Sequence, residues 1–151
     1  MNELEIYKKT NQIIFNNKTL DEVAEDMNIQ VEEIKLSGTD GFYIKRNKRK
    51  IIFLNSDLSF EKRNFILAHE LGHSILHESL HMAFSKINTY HRLDRYETEA
   101  DFFATCLIIN DEVIKELCIE NDYTSKMLAD KFGIPFDLIE KRINLFKEVV
   151  Y

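Results

Sequence analysis

Several residue types that mark specialised classes of protein are scarce in this chain of 151 residues. It has two cysteines, four glycines, one proline and no tryptophan. Two cysteines do not make a disulfide framework, and so little glycine and proline excludes collagen-like and proline-rich chains. No apolar run approaches the roughly 20 residues that a membrane helix needs, and the first residues lack the apolar segment of a signal peptide. We therefore expect a cytoplasmic protein that does not contact a membrane.

The residues that are plentiful are those of an ordinary folded domain. Hydrophobic residues make up 44% of the chain and charged residues 30%, which excludes a disordered chain. The net charge of −6 argues against wholesale binding of nucleic acid. A length of 151 residues fits one domain, so we predict a single domain over 1–151 with a C-terminal appendage at 124–149.

The hydrophobic pattern predicts a short helix, then a small sheet, then several longer helices. A capping box at Thr19–Glu22 predicts the short helix at 20–27. Three extended segments follow, at about 29–36, 42–44 and 51–54. Helical spacing then covers about 59–78, 94–108 and 111–119. We expect the three strands to form one antiparallel sheet, and this order of elements indicates an α+β fold.

The residues His69-Glu70-Leu71-Gly72-His73 form an H-E-x-x-H motif in the middle of an apolar-periodic helix. Histidines four residues apart on a helix point the same way, so His69 and His73 can bind one zinc ion through ring nitrogens. Glu70 lies beside the ion rather than on it, where its carboxylate can take a proton from a water molecule. Because zinc lowers the pKa of water and polarises a carbonyl group, the motif favours peptide hydrolysis.

A third ligand is expected from the second strongly helical segment, because catalytic zinc usually has three protein ligands and one open position. Glu97 is our third ligand, and Glu99 is the alternative on a different face of that helix. Asp101 stands one turn after Glu97, where it can accept a hydrogen bond from the second ring nitrogen of a ligand histidine. We expect one zinc ion per chain.

Four other residues near the motif have different expected roles. His77 continues the spacing of the motif histidines, but a further turn moves it about 5 Å along the axis. We therefore expect His77 to support a ligand or the fold rather than to bind the ion. His81, Tyr90 and His91 lie in an irregular connection between the two helices. Each is a candidate donor to the oxyanion of a tetrahedral intermediate, with a solvated loop residue as the alternative reading.

Two segments resemble the signatures of a known family. Residues 65–77, which contain the H-E-x-x-H motif, resemble the active-site helix of the ImmA/IrrE family of zinc metallopeptidases. Residues 97–108 resemble the second signature of that family, E-x-x-A-[DN]-x-F-A-x-x-L, in which the first glutamate is the metal ligand. The resemblance covers about residues 20–145. One departure is Ile109-Asn110-Asp111, where members of the family often have a Met-Pro-like ending.

This resemblance implies a zincin-like fold, with a small antiparallel sheet packed on the motif helix and a helical C-terminal part. It implies zinc ligands at His69, His73 and Glu97, and a general base at Glu70. It also implies an endopeptidase of a bacterium, mobile element or phage that cleaves a helix-turn-helix transcriptional repressor and so relieves repression. The expected partner is therefore a protein substrate.

The C-terminal segment 124–149 provides an alternative function. Its spacing is that of a helix-turn-helix, with Gly133-Ile134-Pro135 at the turn. Its basic residues are Lys126, Lys131, Lys141, Arg142 and Lys147, and its acidic residues Asp130, Asp137, Glu140 and Glu148 nearly cancel them. Because phosphate contacts dominate DNA affinity, this balance favours a packed helical pair or a docking surface. The alternative is a metal-containing regulator that binds DNA or a partner through this segment, with DNA binding that depends on Lys141 and Arg142.

Overall fold

The computed structural model describes residues 1–13, 15, 17–78 and 90–151, and for 90–93 it describes the backbone alone. The strands are β1 (Ile29–Ile34), β2 (Gly41–Arg46) and β3 (Arg49–Asn55). The helices are α1 (Glu3–Thr10), α2 (Leu20–Asp26), α3 (Phe60–Leu76), α4 (Tyr90–Ile108), α5 (Asp111–Val113), α6 (Ser125–Phe132) and α7 (Phe136–Val150). A π-helical segment, Ile114–Glu120, continues α5. The predicted α+β class is confirmed.

The sheet is mixed, and the prediction of a wholly antiparallel sheet was wrong. β2 and β3 pair antiparallel through a tight hairpin at Asn47 and Lys48, whose positive φ angles of 51° and 65° suit a two-residue turn. β1 pairs parallel with β3, so the strand order is β1-β3-β2. The chain reverses once in the connection 35–40 and again in the hairpin, so β3 returns in the direction of β1. β3 carries the apolar run 51–54 and takes the central, most buried position.

Helix α3 lies against the sheet and against α4. Ser59 caps its start by accepting a hydrogen bond from the backbone N–H of Lys62 at 3.3 Å. Its core-facing residues Leu67, Ala68 and Leu71 are fully buried. The motif therefore sits on a helix of the first apolar cluster, which joins the sheet, α3 and α4.

Helix α4 begins earlier than predicted. The sequence pattern predicts a start at 94, whereas the backbone is helical from Tyr90 to Ile108. Polar residues dominate this first turn, so apolar periodicity does not reveal it. The predicted helix at 111–119 is present, but after its first turn it widens into the π-helical segment. None of the helices in the described part of the chain combines the length and the apolar composition that crossing a membrane requires.

The C-terminal helices form a second apolar cluster, built around Ile109, Leu128 and Ile139. Gly133 ends α6 in the left-handed conformation, with a φ of 65°, and α7 begins after Pro135. Two helices joined by a turn therefore occupy this segment. That the segment forms a separate appendage stays a prediction, as does its role.

Arg142 is not available to a DNA phosphate, which corrects the list of basic residues in the C-terminal segment. Its side chain is fully buried, its Nε donates to the carbonyl of Ile109 at 2.8 Å, and its guanidinium pairs with Asp111. Lys141 is exposed, with its Nζ 3.6 Å from a carboxylate oxygen of Glu3. The sequence shows that Arg142 is charged but not that it is buried. In the folded chain its guanidinium links α7 to Ile109, directly after the end of α4.

Candidate metal centre

The two motif histidines and Glu97 meet at the boundary between α3 and α4. The Nε2 atoms of His69 and His73 lie 3.1 Å apart. Glu97 bridges them, with one carboxylate oxygen 3.1 Å from Nε2 of His69 and the other 2.8 Å from Nε2 of His73. Within the described ranges, these residues are the one set of three or more metal-ligating side chains whose ligand atoms all lie within 4.8 Å of one another.

This donor set fits a zinc ion. Ligand atoms about 2.0–2.1 Å from a tetrahedral zinc ion stand roughly 3.3 Å from each other, close to the distances in this cluster. Two imidazoles and a carboxylate are also a ligand combination found in catalytic zinc sites. The histidine side chains are 10% and 12% exposed, whereas that of Glu97 is 58% exposed. The packed helix α3 thus fixes two donors, while the side of the cluster formed by α4 faces solvent.

Glu99, the alternative third ligand in the sequence analysis, lies elsewhere. Its side chain is 8% exposed and its Oε2 is 2.8 Å from Nε2 of His77. Two residues along a helix correspond to a rotation of about 200°, and the two carboxylates reach different histidines, Glu97 the motif pair and Glu99 His77. The structure therefore brings Glu97, and not Glu99, to the motif histidines.

Asp101 lies at the other nitrogen of His69, with 2.7 Å between its Oδ1 and Nδ1 of the ring. A carboxylate only accepts hydrogen bonds, so the ring donates from Nδ1 and its Nε2 points to the cluster. Burial lowers the pKa of His69, but the hydrogen bonds to Asp101 and Glu97 raise it more, to about 10.

Glu70 lies beside this cluster and is itself buried, with 7% of its surface exposed. Burial raises the pKa of its carboxyl group, against the opposing effect of His69 and His73. The backbone N–H of Tyr43, on β2, donates a hydrogen bond to this carboxylate. The sheet therefore helps to hold a carboxylate whose raised pKa suits the acceptance of a proton.

Three residues named in the sequence analysis as oxyanion donors are not placed at the site. His81 lies outside the described residues. Tyr90 and His91 belong to the first turn of α4 and not to an irregular connection, and their side chains are outside the described part of the structure. The identity of the oxyanion donor stays a prediction.

Gly72 is a residue of the motif whose role the sequence analysis missed. A Cβ atom at this position would lie 3.1 Å from Cδ1 of Phe103 and 3.3 Å from Cα and the carbonyl oxygen of Ala100. The absence of a side chain lets α4 approach α3, and Ala100 is one turn from Glu97. A small residue between two histidines on a helix is the signal that could have indicated close helix packing.

We expect enlargement of Gly72 to separate α4 from α3 and so to move Glu97 away from the histidines. Gly72→Val should weaken zinc binding by more than about 10-fold and cost about 1–3 kcal/mol of stability, because overpacking forces the backbone to shift. Gly72→Ala, which adds the Cβ alone, should give a smaller loss of affinity. Chelator competition and urea denaturation measure the two effects. A valine variant with the affinity of the wild type would contradict this account of the helix packing.

Comparison with known proteins gives two sequence relatives and one family profile. The profile described as IrrE N-terminal-like domain, a peptidase family, matches residues 24–144. Uncharacterized immunity region protein 2 of Bacillus phage phi105 is 36% identical over 98 residues, which are 65% of this chain and 61% of that protein. Metallopeptidase ImmA of Bacillus subtilis strain 168 is 32% identical over 93 residues, which are 60% of this chain and 53% of that protein. The matched segment thus spans less than two thirds of the length of either relative.

A solved structure of a Mycobacterium tuberculosis transcriptional regulator shares the fold. It superposes with a TM-score of 0.57 at 17% sequence identity, over 91% of this chain and 44% of the other. At that level of identity the likeness concerns the architecture and carries no inference about activity.

Proposed function

The chain belongs to the ImmA/IrrE family of metallopeptidases, and from this membership we propose that it is a zinc-dependent endopeptidase that cleaves a regulatory protein. The observation that carries the proposal is the cluster of His69, His73 and Glu97, with the buried carboxylate of Glu70 beside it. Family membership supports metal-dependent proteolysis, and the chemistry of the donor set supports zinc as the metal.

In the proposed mechanism each residue has one task. His69, His73 and Glu97 hold the ion, and Asp101 keeps His69 in the tautomer whose Nε2 is free to bind. When bound, zinc would act as a Lewis acid that lowers the pKa of water and polarises a peptide carbonyl group. The carboxylate of Glu70 accepts a proton from the attacking water and passes it to the nitrogen of the leaving amine as the C–N bond breaks.

The proposed substrate is a helix-turn-helix transcriptional repressor, whose cleavage would relieve repression. One relative is named as a phage immunity region protein and another as the metallopeptidase ImmA, so the family resemblance supports a regulatory substrate. A repressor of this kind acts on DNA inside a bacterial cell, and the proposal therefore places the peptidase in the cytoplasm.

Metal stoichiometry tests the proposed ligand set. We expect native mass spectrometry to find one zinc ion in the wild-type chain, and we expect His69→Ala and Glu97→Ala to lose or weaken it. Each substitution removes one of the three protein donors that a catalytic zinc site usually has. Asp94→Ala is the matched control, because Asp94 is an exposed carboxylate one turn before Glu97 on the same helix.

Two results would contradict the proposal. The first is a folded wild-type chain that binds no zinc when the ion is supplied, which would remove the metallopeptidase function. The second is a Glu97→Ala variant that retains zinc with wild-type affinity, which would remove Glu97 from the ligand set while leaving the motif histidines in place.

A further inference from the structure

A chain of hydrogen bonds leads away from the metal centre on the side opposite to Asp101. Nδ1 of His73 lies 3.0 Å from Nδ1 of His77, and Nε2 of His77 lies 2.8 Å from Oε2 of Glu99. The other oxygen of Glu99 accepts hydrogen bonds from Arg95 at 3.1 Å and from the amino group of Met1 at 2.9 Å. His73 is thus connected to a carboxylate through a second imidazole.

Both links of this chain are shielded from water. His77 is 2% exposed and Glu99 is 7% exposed. The ring of Tyr96 packs against His77, with 4.7 Å between the ring centroids. A buried polar group costs free energy unless it is hydrogen-bonded, so these side chains are held in their present contacts.

The carboxylate at the end of the chain favours one arrangement of the hydrogens on the two imidazole rings. Glu99 can only accept, so the hydrogen on Nε2 of His77 is the donor, and a neutral His77 then has a bare Nδ1. That Nδ1 must accept, so the hydrogen of His73 resides on Nδ1. In this arrangement the lone pair of Nε2 of His73, the atom 2.8 Å from Glu97, would be directed at a metal ion held between the two side chains.

We propose that His77 and Glu99 are positioning residues that hold His73 in the tautomer and orientation that bind the metal. Asp101 holds His69 by a direct hydrogen bond, whereas Glu99 acts on His73 through the imidazole of His77. One helix, α4, therefore supplies the ligand Glu97 and both carboxylates that orient the histidines. The inference rests on the proposed metal site and adds a second layer of residues to it.

Removal of His77 should weaken zinc binding without removing a ligand. We expect His77→Ala to lower zinc affinity by about 10- to 100-fold, the usual effect of losing a partner of a ligand histidine. His77→Gln should restore part of the affinity, since its amide can accept from His73 and donate to Glu99. Glu99→Gln should lose less affinity than Glu99→Ala, because the amide oxygen still accepts. Competition with a chelating zinc indicator measures each dissociation constant.

Ser74→Ala is the matched control. Ser74 is 3% exposed on the same helix, and its hydroxyl donates to the carbonyl of Leu71 at 2.7 Å, outside the chain of hydrogen bonds. We expect this variant to keep the zinc affinity of the wild type even if its stability falls. A purely structural role of His77 predicts the same outcome for His77→Ala, namely lower stability with unchanged affinity, and that result would overturn the inference.

Imidazole nitrogen NMR of the zinc-loaded wild-type chain tests the inference without any substitution, so it decides the question even if the variants do not fold. We expect a hydrogen on Nδ1 of His73 and on Nε2 of His77, with Nδ1 of His77 unprotonated. A hydrogen on Nδ1 of His77 would overturn the inference. A wild-type chain that binds no zinc would contradict the proposed function, whereas zinc binding that is unaffected by His77→Ala would contradict this inference alone.

Discussion

Glu70→Gln should abolish proteolysis while it leaves the fold and the zinc ion in place. Glutamine has the shape of glutamate, and its amide oxygen can still accept the hydrogen bond from the backbone of Tyr43. It cannot accept a proton from water at neutral pH, so the step that generates the nucleophile loses its base. General-base catalysis contributes about 10²- to 10⁴-fold to such reactions, and we expect a loss of at least that size.

The measurement needs a protein substrate and a readout of metal content. A helix-turn-helix repressor from the same genetic element is the probe, and mass spectrometry follows its cleavage by zinc-loaded protein. Native mass spectrometry of the variant should still find one zinc ion. The control is Glu61→Gln, which alters an exposed carboxylate on the same helix and should cleave at the wild-type rate. If Glu70→Gln cleaves the repressor as fast as the wild type, Glu70 is not the general base.

Arg142→Met should lower the free energy of unfolding by about 3–5 kcal/mol, which is the usual cost of removing one partner of a buried ion pair. The guanidinium is fully buried, donates to the carbonyl of Ile109 and pairs with Asp111. It also lies 5.0 Å from the centroid of the Tyr7 ring. Methionine fills part of the volume but leaves the Ile109 carbonyl and the Asp111 carboxylate without this donor.

Urea denaturation measures the free energy of unfolding, and thermal denaturation should show a midpoint lower by roughly 10 °C for a chain of this size. Lys141→Met is the control, because it removes the neighbouring positive charge from an exposed position on the same helix. We expect that change to stay within about 0.5 kcal/mol, as is usual for surface substitutions. Equal stabilities of the two variants would show that the buried pair does not fasten α7.

The choice between two carboxylates as the third metal ligand is a feature that the sequence alone could not decide. The spacing predicts Glu97 as the third metal ligand and leaves Glu99 as the alternative, because both carboxylates lie near the start of one helix. Which of them faces the histidines depends on the rotation of α4 about its own axis relative to α3. That rotation is set by contacts between the helices, such as the close approach of Ala100 to Gly72.

The sequence by itself determined what depends on neighbours along the chain. It predicts the α+β order of elements, the capping box at Thr19–Glu22, and the paired histidines of the motif, because caps and helical spacing act over a few residues. Even the contact between Asp101 and a motif histidine follows from spacing and zinc chemistry once Glu97 is given.

Only the tertiary structure decided what depends on residues far apart in the chain. It made β1 parallel to β3, because burial of the apolar β3 puts it between the other two strands. It buried the charge of Arg142 against Asp111, and it joined His73 to Glu99 through His77. The physical reason is that burial and hydrogen-bond partners are properties of the packed molecule, whereas a sequence pattern shows only which side chains are available to be packed.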